Sequence, residues 1–163
     1  MLINIHSTNA TEMPCHIAEQ CHEMCKPGSE MQGLFHRVAM LSLEDIDYLA
    51  VVAYAYLNDP DDGATVVGWC VISTWQVGEE QRVQAQGFVR PDYRRRGLAG
   101  AMAACLTHDF PHEEVQIAVF SPEFLSIAKR LGWQATQYRL VEDGWIGVGT
   151  ADGRDIGTGT DEK

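Results

Sequence analysis

Five of the chain's twelve basic residues, Arg82, Arg90, Arg94, Arg95 and Arg96, fall within fifteen positions. The last three stand directly before Gly97-Leu98-Ala99-Gly100, where apolar residues take up helical spacing at Leu98, Ala101, Met102, Cys105 and Leu106. The first amides of such a helix have no acceptor within it and carry the positive end of its dipole. Gly97, Ala99 and Gly100 have little or no side chain to hold an anion away from that backbone. The arginines add fork-shaped cationic donors. Residues of these types in this order ask for a di- or polyphosphate. The stretch is not a Walker loop, because no Gly-Lys-Ser/Thr follows, nor a dinucleotide fingerprint, whose three glycines are absent.

A second group with chemical potential is Cys15, Cys21 and Cys25 beside His16 and His22. At 100° per residue Ile17, Ala18, Cys21, Met24 and Cys25 share one helical face, with Cys15 and His22 on its edge. Cysteine behaves there as a small hydrophobe, and the familiar zinc-ligand spacings are missing, so no metal is expected. Five cysteines without CxxC pairing read as free thiols. Glu12, Glu19 and Glu23 read as a solvated helical face.

The whole chain has 163 residues and a formal charge of −11. That length is one domain, and the acidity argues against a nucleic-acid binder that works by neutralising phosphates. It is compatible with a cationic partner such as a polyamine, an aminoglycoside or a lysine-rich tail. The apolar run Leu49–Leu57 is far too short to span a bilayer, which takes about 20 residues. Met1–Ser7 lacks a basic region followed by an apolar core. The expectation is a soluble, cytoplasmic protein without a membrane partner.

The positioning elements follow from periodicity and breakers. Leu2–His6 reads as a strand, and a helix capped by Asn9 or Thr11 is expected to run to Cys25 before Lys26-Pro27-Gly28. A short helix is expected over Ser29–His36. Asp47–Asn58, Ala64–Trp75 and Arg82–Arg90 read as strands joined by the turns Asp59–Gly63 and Gly78–Glu80, hence an antiparallel meander. The helix from Leu98 ends at Pro111, and Val115–Phe120 follows as a parallel strand. Ser121-Pro122-Glu123 opens another helix with the buried stripe Phe124, Ile127, Ala128 and Leu131. A final strand over Gln134–Glu142 and a turn at Asp143-Gly144 complete a domain of residues 1–149. Residues 150–163 read as a flexible tail.

The run Val89-x-Pro91-x-x-Arg94-x-x-Gly97-x-Ala99 resembles the R/Q-x-x-G-x-G/A motif of GNAT-superfamily N-acetyltransferases. Gly68-Trp69, Val115–Val119 and Ala128-Lys129-Arg130-Leu131-Gly132-Trp133 resemble later parts of the same family in the same order, over about residues 40–140. The resemblance implies an α/β (α+β) fold: a mixed, mainly antiparallel central sheet, flanked by helices, in which strands 4 and 5 are parallel and splay apart. It implies acetyl-CoA as acyl donor, with Arg94, Arg95, Arg96, Gly97, Leu98, Ala99 and Gly100 at the pyrophosphate. The backbone near Val89 would pair with the pantetheine arm and offer an amide to the oxyanion. The two N-terminal helices would line the acceptor side, where a small-molecule or peptide amine would attack directly in a ternary complex.

Three departures from the family pattern stand out. Arg95 occupies a position where relatives often have glycine. Ala128 stands where many relatives have a tyrosine that protonates the leaving thiolate. Gln84 and Gln86 occupy the strand on which relatives often carry a glutamate, and a carboxamide cannot act as a base. Ser121, where relatives often have asparagine, is the remaining catalytic candidate, with a helix N-cap as its structural role; Tyr93 and Tyr138 have no positional warrant. The alternative is therefore a GNAT-like module that binds coenzyme A with weak or no catalysis. Domains of this kind often form homodimers, although no residue pattern here specifies one.

Overall fold

Pro14 decides where the first long helix starts. In the computed structural model, which describes residues 2–40, 50–59, 63–77, 80–110, 116–141 and 144–150, the chain from Ala10 to Glu12 makes a single 3-10 turn. Helix α1 follows only at Cys15–Glu23. A proline lacks the N–H for an interior turn and pushes its predecessor towards extended backbone, so one helix from Asn9 to Cys25 does not form. Pro14 takes the N-cap position of α1, and neither Asn9 nor Thr11 caps it. Helix α2, Glu30–Ala39, begins where Ser29 Oγ accepts a hydrogen bond from the Gln32 amide at 3.2 Å, and it runs three residues beyond the expected His36.

One seven-stranded sheet carries the molecule, with its strands side by side in chain order. They are β1 Ile3–Asn9, β2 Ala50–Asp59, β3 Gly63–Val77, β4 Glu80–Val89, β5 Gln116–Val119, β6 Gln134–Val141 and β7 Gly144–Thr150. Pairing is antiparallel from β1 through β4, parallel for β4–β5 and β5–β6, and antiparallel again for β6–β7. This is the mixed, mainly antiparallel sheet expected above. Helix α3, Leu98–Asp109, makes the crossover between β4 and β5, and α4, Pro122–Arg130, the one between β5 and β6. Parallel neighbours need such a crossover, whereas the meander strands need only turns.

Strand β7 is an addition to the sequence reading, which closed the sheet at β6. Its glycines at 144, 147 and 149 dilute the β-branched signal, and pairing with β6 rather than intrinsic propensity makes it a strand. It extends to Thr150, one residue into the segment read as tail. Residues 151–163, to which the flexible-tail expectation applies, lie outside the described residues, as do the turns at 60–62, 78–79 and 142–143. Glu80, read as part of a turn, is the first residue of β4.

Each face of the sheet buries its own core. Val51, Ala53, Ile72, Val83, Ala85 and Ile117 meet α3 and α4 through Met102, Leu106 and Phe124, in one core with Trp133 just past α4. Val52, Tyr54, Trp69 and Val71 meet α1 and α2 through Ile17, Cys21, Leu34 and Phe35. Each large side chain so buried contributes about 1.5–3 kcal/mol. Among the described residues, the thiols on the helix–sheet interface pack as small hydrophobes. Burial holds Cys21 and Cys70 protonated well above the ordinary thiol range and pushes Cys25 up to about 12. Trp133 locks the α3–α4 side: its amide donates to Ala128 O at 2.9 Å and its indole Nε1 donates to Thr107 Oγ1 of α3 at 3.0 Å. No described helix is long and apolar enough to cross a membrane.

Candidate functional site

A close glycine–backbone approach and a left-handed loop shape the end of β4. Gly68 of β3 lies opposite Val89, and a Cβ there would sit 2.9 Å from the Phe88 carbonyl oxygen. Only glycine lets β3 and β4 approach so closely at the point where β4 leaves the sheet. Past Val89, Pro91–Tyr93 form a 3-10 turn, and Arg94–Gly97 lead into α3. Arg95 has φ +63° and Gly97 has φ +76°, so this short loop turns through the left-handed region twice. The position at which the family often has glycine is therefore one that favours glycine conformationally, and here an arginine occupies it.

The arginines divide by task. Arg90 is committed to the sheet, its amide donating to Val67 O at 2.8 Å and its Nε to Val66 O at 3.0 Å. Arg94 Nε donates to Val89 O at 2.8 Å, and its guanidinium lies 5.4 Å from the centre of the Phe88 ring. Arg96 stacks over Tyr93 at 5.3 Å. Arg95 is exposed beside them.

β4 and β5 separate past Gln84, before this loop begins. Among the described residues their ladder comprises Val83↔Ile117 and Gln84↔Ala118, while β4 continues to Val89 along β3. Since the Arg90 amide bonds β3, the antiparallel alternation turns the backbone groups of Ala85, Gly87 and Val89 the other way, towards the gap. A cavity of about 830 Å³ lies there, walled by Gly87–Val89, by Tyr93–Arg95 and Gly97–Gly100, and by α4 through Ser121, Glu123, Phe124, Ile127, Arg130 and Leu131. Of the sequence-predicted site residues it brings together Val89, Arg94, Arg95, Gly97, Leu98, Ala99, Gly100 and Ser121; Arg96 does not line it. Glu123 and Arg130 do, and sequence reasoning gave them no role there. Their helix was legible, but which of its faces looks across at α3 depends on packing.

Ser121 caps α4: its Oγ accepts from the Phe124 amide at 3.0 Å. The cap uses an oxygen lone pair and does not consume the hydroxyl proton. Ala128 is fully buried in the α3–α4 core. Gln84 and Gln86 lie on the opposite face of β4 from Val83 and Ala85, and Gln86 Nε2 donates to Gln84 Oε1 at 3.1 Å. Among the described residues no group of three or more His, Cys, Asp or Glu side chains could hold a metal ion. His22 and His36 approach as a pair, ring centres 5.7 Å apart.

No protein-family model matches the sequence, and no curated protein matches it either. Solved structures do match the fold. Glucosamine-6-phosphate N-acetyltransferase from Arabidopsis thaliana superposes with a TM-score of 0.52 at 10% identity, over 87% of this chain and 98% of that one. A possible acetyltransferase from Clostridium difficile 630 aligns at 16% identity over 87% of this chain and 97% of that one, TM-score 0.45. A GNAT-superfamily phosphinothricin acetyltransferase from Sinorhizobium meliloti, in complex with acetyl-CoA, aligns at 16% identity over 85% of this chain and 66% of that one, TM-score 0.36. The chain has the GNAT acetyltransferase fold: a mixed seven-stranded sheet, parallel at β4–β5, flanked by four helices.

Proposed function

We propose that this protein is an acetyl-CoA-dependent N-acetyltransferase that transfers an acetyl group to an amine by direct attack in a ternary complex. The observation that carries the reading is the cavity of about 830 Å³ at the opening of β4 and β5, bounded by the arginine loop and the start of α3. The fit to a pyrophosphate is supported by open space: a Cβ at Gly97 or Gly100 would meet nothing within 4 Å. Arg94, Arg95 and the first amides of α3 would hold the phosphates, with Arg130 on the facing wall. The Gly87 backbone and the Val89 amide, turned towards the gap, would pair with the pantetheine arm, and an N–H donor there would polarise the thioester carbonyl. Acetyl-CoA supplies the activated acetyl group. The chain's own part is to bind it, to align the amine and to keep water out.

A second reading, a coenzyme A-binding module without turnover, is favoured by the buried Ala128 and the neutral Gln84–Gln86 pair. The two readings separate in one set of measurements. Calorimetry with acetyl-CoA is expected to show binding, and Gly97→Glu to abolish it by placing a carboxylate in the phosphate site. Release of free thiol in the presence of amines is expected for the transferase, and its absence despite binding would leave the module. No binding at 1 mM acetyl-CoA would overturn both.

A further inference from the structure

An aromatic ring bounds the cavity towards the closed end of the gap between β4 and β5. Of β4 the cavity touches Gly87, Phe88 and Val89. Nearer the closed end, Ala85, Ile117 and Val119 are packed into the core and do not line it. The parallel register Val83↔Ile117 and Gln84↔Ala118, carried three residues further along each strand, puts Gly87 level with Ser121. Ser121 caps α4, and Phe124 stands in the first turn of that helix. Its ring reaches across to β4 at this level: a Cβ at Gly87 would lie 3.2 Å from Phe124 Cε2. Glycine at 87 is what lets the ring lie so close to the strand. Trp133 stands beside the ring, their centres 6.0 Å apart, and is itself held by Thr107 Oγ1 and Ala128 O. Phe124 is thus a member of the buried core and a wall of the cavity at once.

We propose that Phe124 sets the length of the acyl group the donor can carry, so that the site takes the acetyl thioester and refuses longer chains. The inference rests on the acetyl-CoA reading above, in which the phosphates sit at the start of α3 and the pantetheine arm runs along Val89 and Gly87. An arm so placed delivers the thioester beside Gly87 and Ser121, with its acyl carbons turned towards the Phe124 ring. A two-carbon group ends there. Each further methylene must displace a ring that has Trp133 beside it and the Gly87 backbone against its edge. Close-packed interiors resist such insertion, because it forces side chains off their rotamers and shifts backbone. With a smaller side chain at 124, the same methylenes would enter the apolar core that holds Ala85, Val119 and Ile127. Burial would then favour each of them by about fourfold in affinity. Phe124 acts on which donor is held and moves no proton.

The test is calorimetric binding of coenzyme A, acetyl-CoA, propionyl-CoA and butyryl-CoA to the full chain, which needs no knowledge of the acceptor. With the unaltered protein, butyryl-CoA is expected to bind about tenfold more weakly than acetyl-CoA, with propionyl-CoA between them. Phe124→Ala is expected to move the butyryl-to-acetyl affinity ratio about tenfold or more towards butyryl-CoA. Phe124→Leu, which keeps an apolar side chain in the core, is expected to move it about threefold in the same direction. Circular dichroism shows whether each variant is folded, and Phe124→Leu decides if Phe124→Ala is not. Equal binding of acetyl-CoA and butyryl-CoA by the unaltered protein would overturn the proposal, since the acyl chain would then turn away from the ring. A parallel change for all four ligands on substitution would do the same, because Phe124 would then act on the arm and not on the acyl group. An unchanged ratio in a folded variant counts against it equally. No binding of coenzyme A or any acyl form would instead overturn the coenzyme reading itself, and this proposal with it.

Discussion

Arg95 and Gly97 take the same left-handed backbone, and only the glycine does so without strain. A side chain in that region costs about 1–2 kcal/mol, and glycine returns about 0.5–1 kcal/mol of that through unfolded-state entropy. Arg95→Gly is therefore expected to leave the melting temperature unchanged or a few degrees higher. Its affinity for acetyl-CoA is expected to fall about tenfold, as one charge-assisted contact is worth about 1.5–3 kcal/mol. Thermal melting and calorimetry on the same preparation check both halves. Ser121 separates in a similar way. Ser121→Ala removes the bond from the Phe124 amide and is expected to lower stability by about 1 kcal/mol in urea unfolding. Ser121→Asp keeps an N-cap acceptor and is expected to hold stability near that of the unaltered protein.

At the scale of elements, the close approach of β3 to β4 is what aims the arginine loop. Gly68→Ala would put a Cβ 2.9 Å from the Phe88 carbonyl, a backbone atom that has no side-chain freedom to yield. The expected result is a loss of about 1–3 kcal/mol in stability and weaker acetyl-CoA binding, because Val89 and Arg94 shift with the strand. Chemical unfolding and calorimetry read the two effects. Most elements were legible: the meander from its turns, α3 from its apolar spacing, α4 from Ser121-Pro122-Glu123. Two were not. The helix before Cys25 reads as continuous until the proline rule is applied at Pro14 itself, and β7 is too rich in glycine to announce itself without β6 beside it. Arg90 shows the same limit for a single residue, since it counts with the anion cluster in sequence yet its Nε bonds Val66 O and its amide Val67 O.

The whole molecule combines a charge of −11 with buried thiols and one arginine-rich loop. Cys21, Cys25 and Cys70 have folded-state pKa values raised by burial, so folding favours their protonated forms. Their contribution is complete below the unfolded thiol pKa of about 8.5 and is lost as pH rises towards the folded values. The melting temperature is therefore expected to decline steadily above about pH 8.5 in reducing buffer. The same burial predicts that Cys21 and Cys70 resist alkylation in the folded protein at pH 8 and react on unfolding, which mass spectrometry reads directly.

The amino-acid sequence by itself determined the arginine-flanked, glycine-containing helix start, because its residues lie within a few positions of one another. It also determined the order of strands and helices, which periodicity and breakers encode within a few residues of each position. Tertiary structure decided which arginines face the cavity, that Glu123 and Arg130 join them, and that Gln84 and Gln86 lie on the other face of the sheet. Those outcomes depend on register and on which helix face packs against which strand. A one-residue change in strand register exchanges the two faces, so only long-range pairing could settle them.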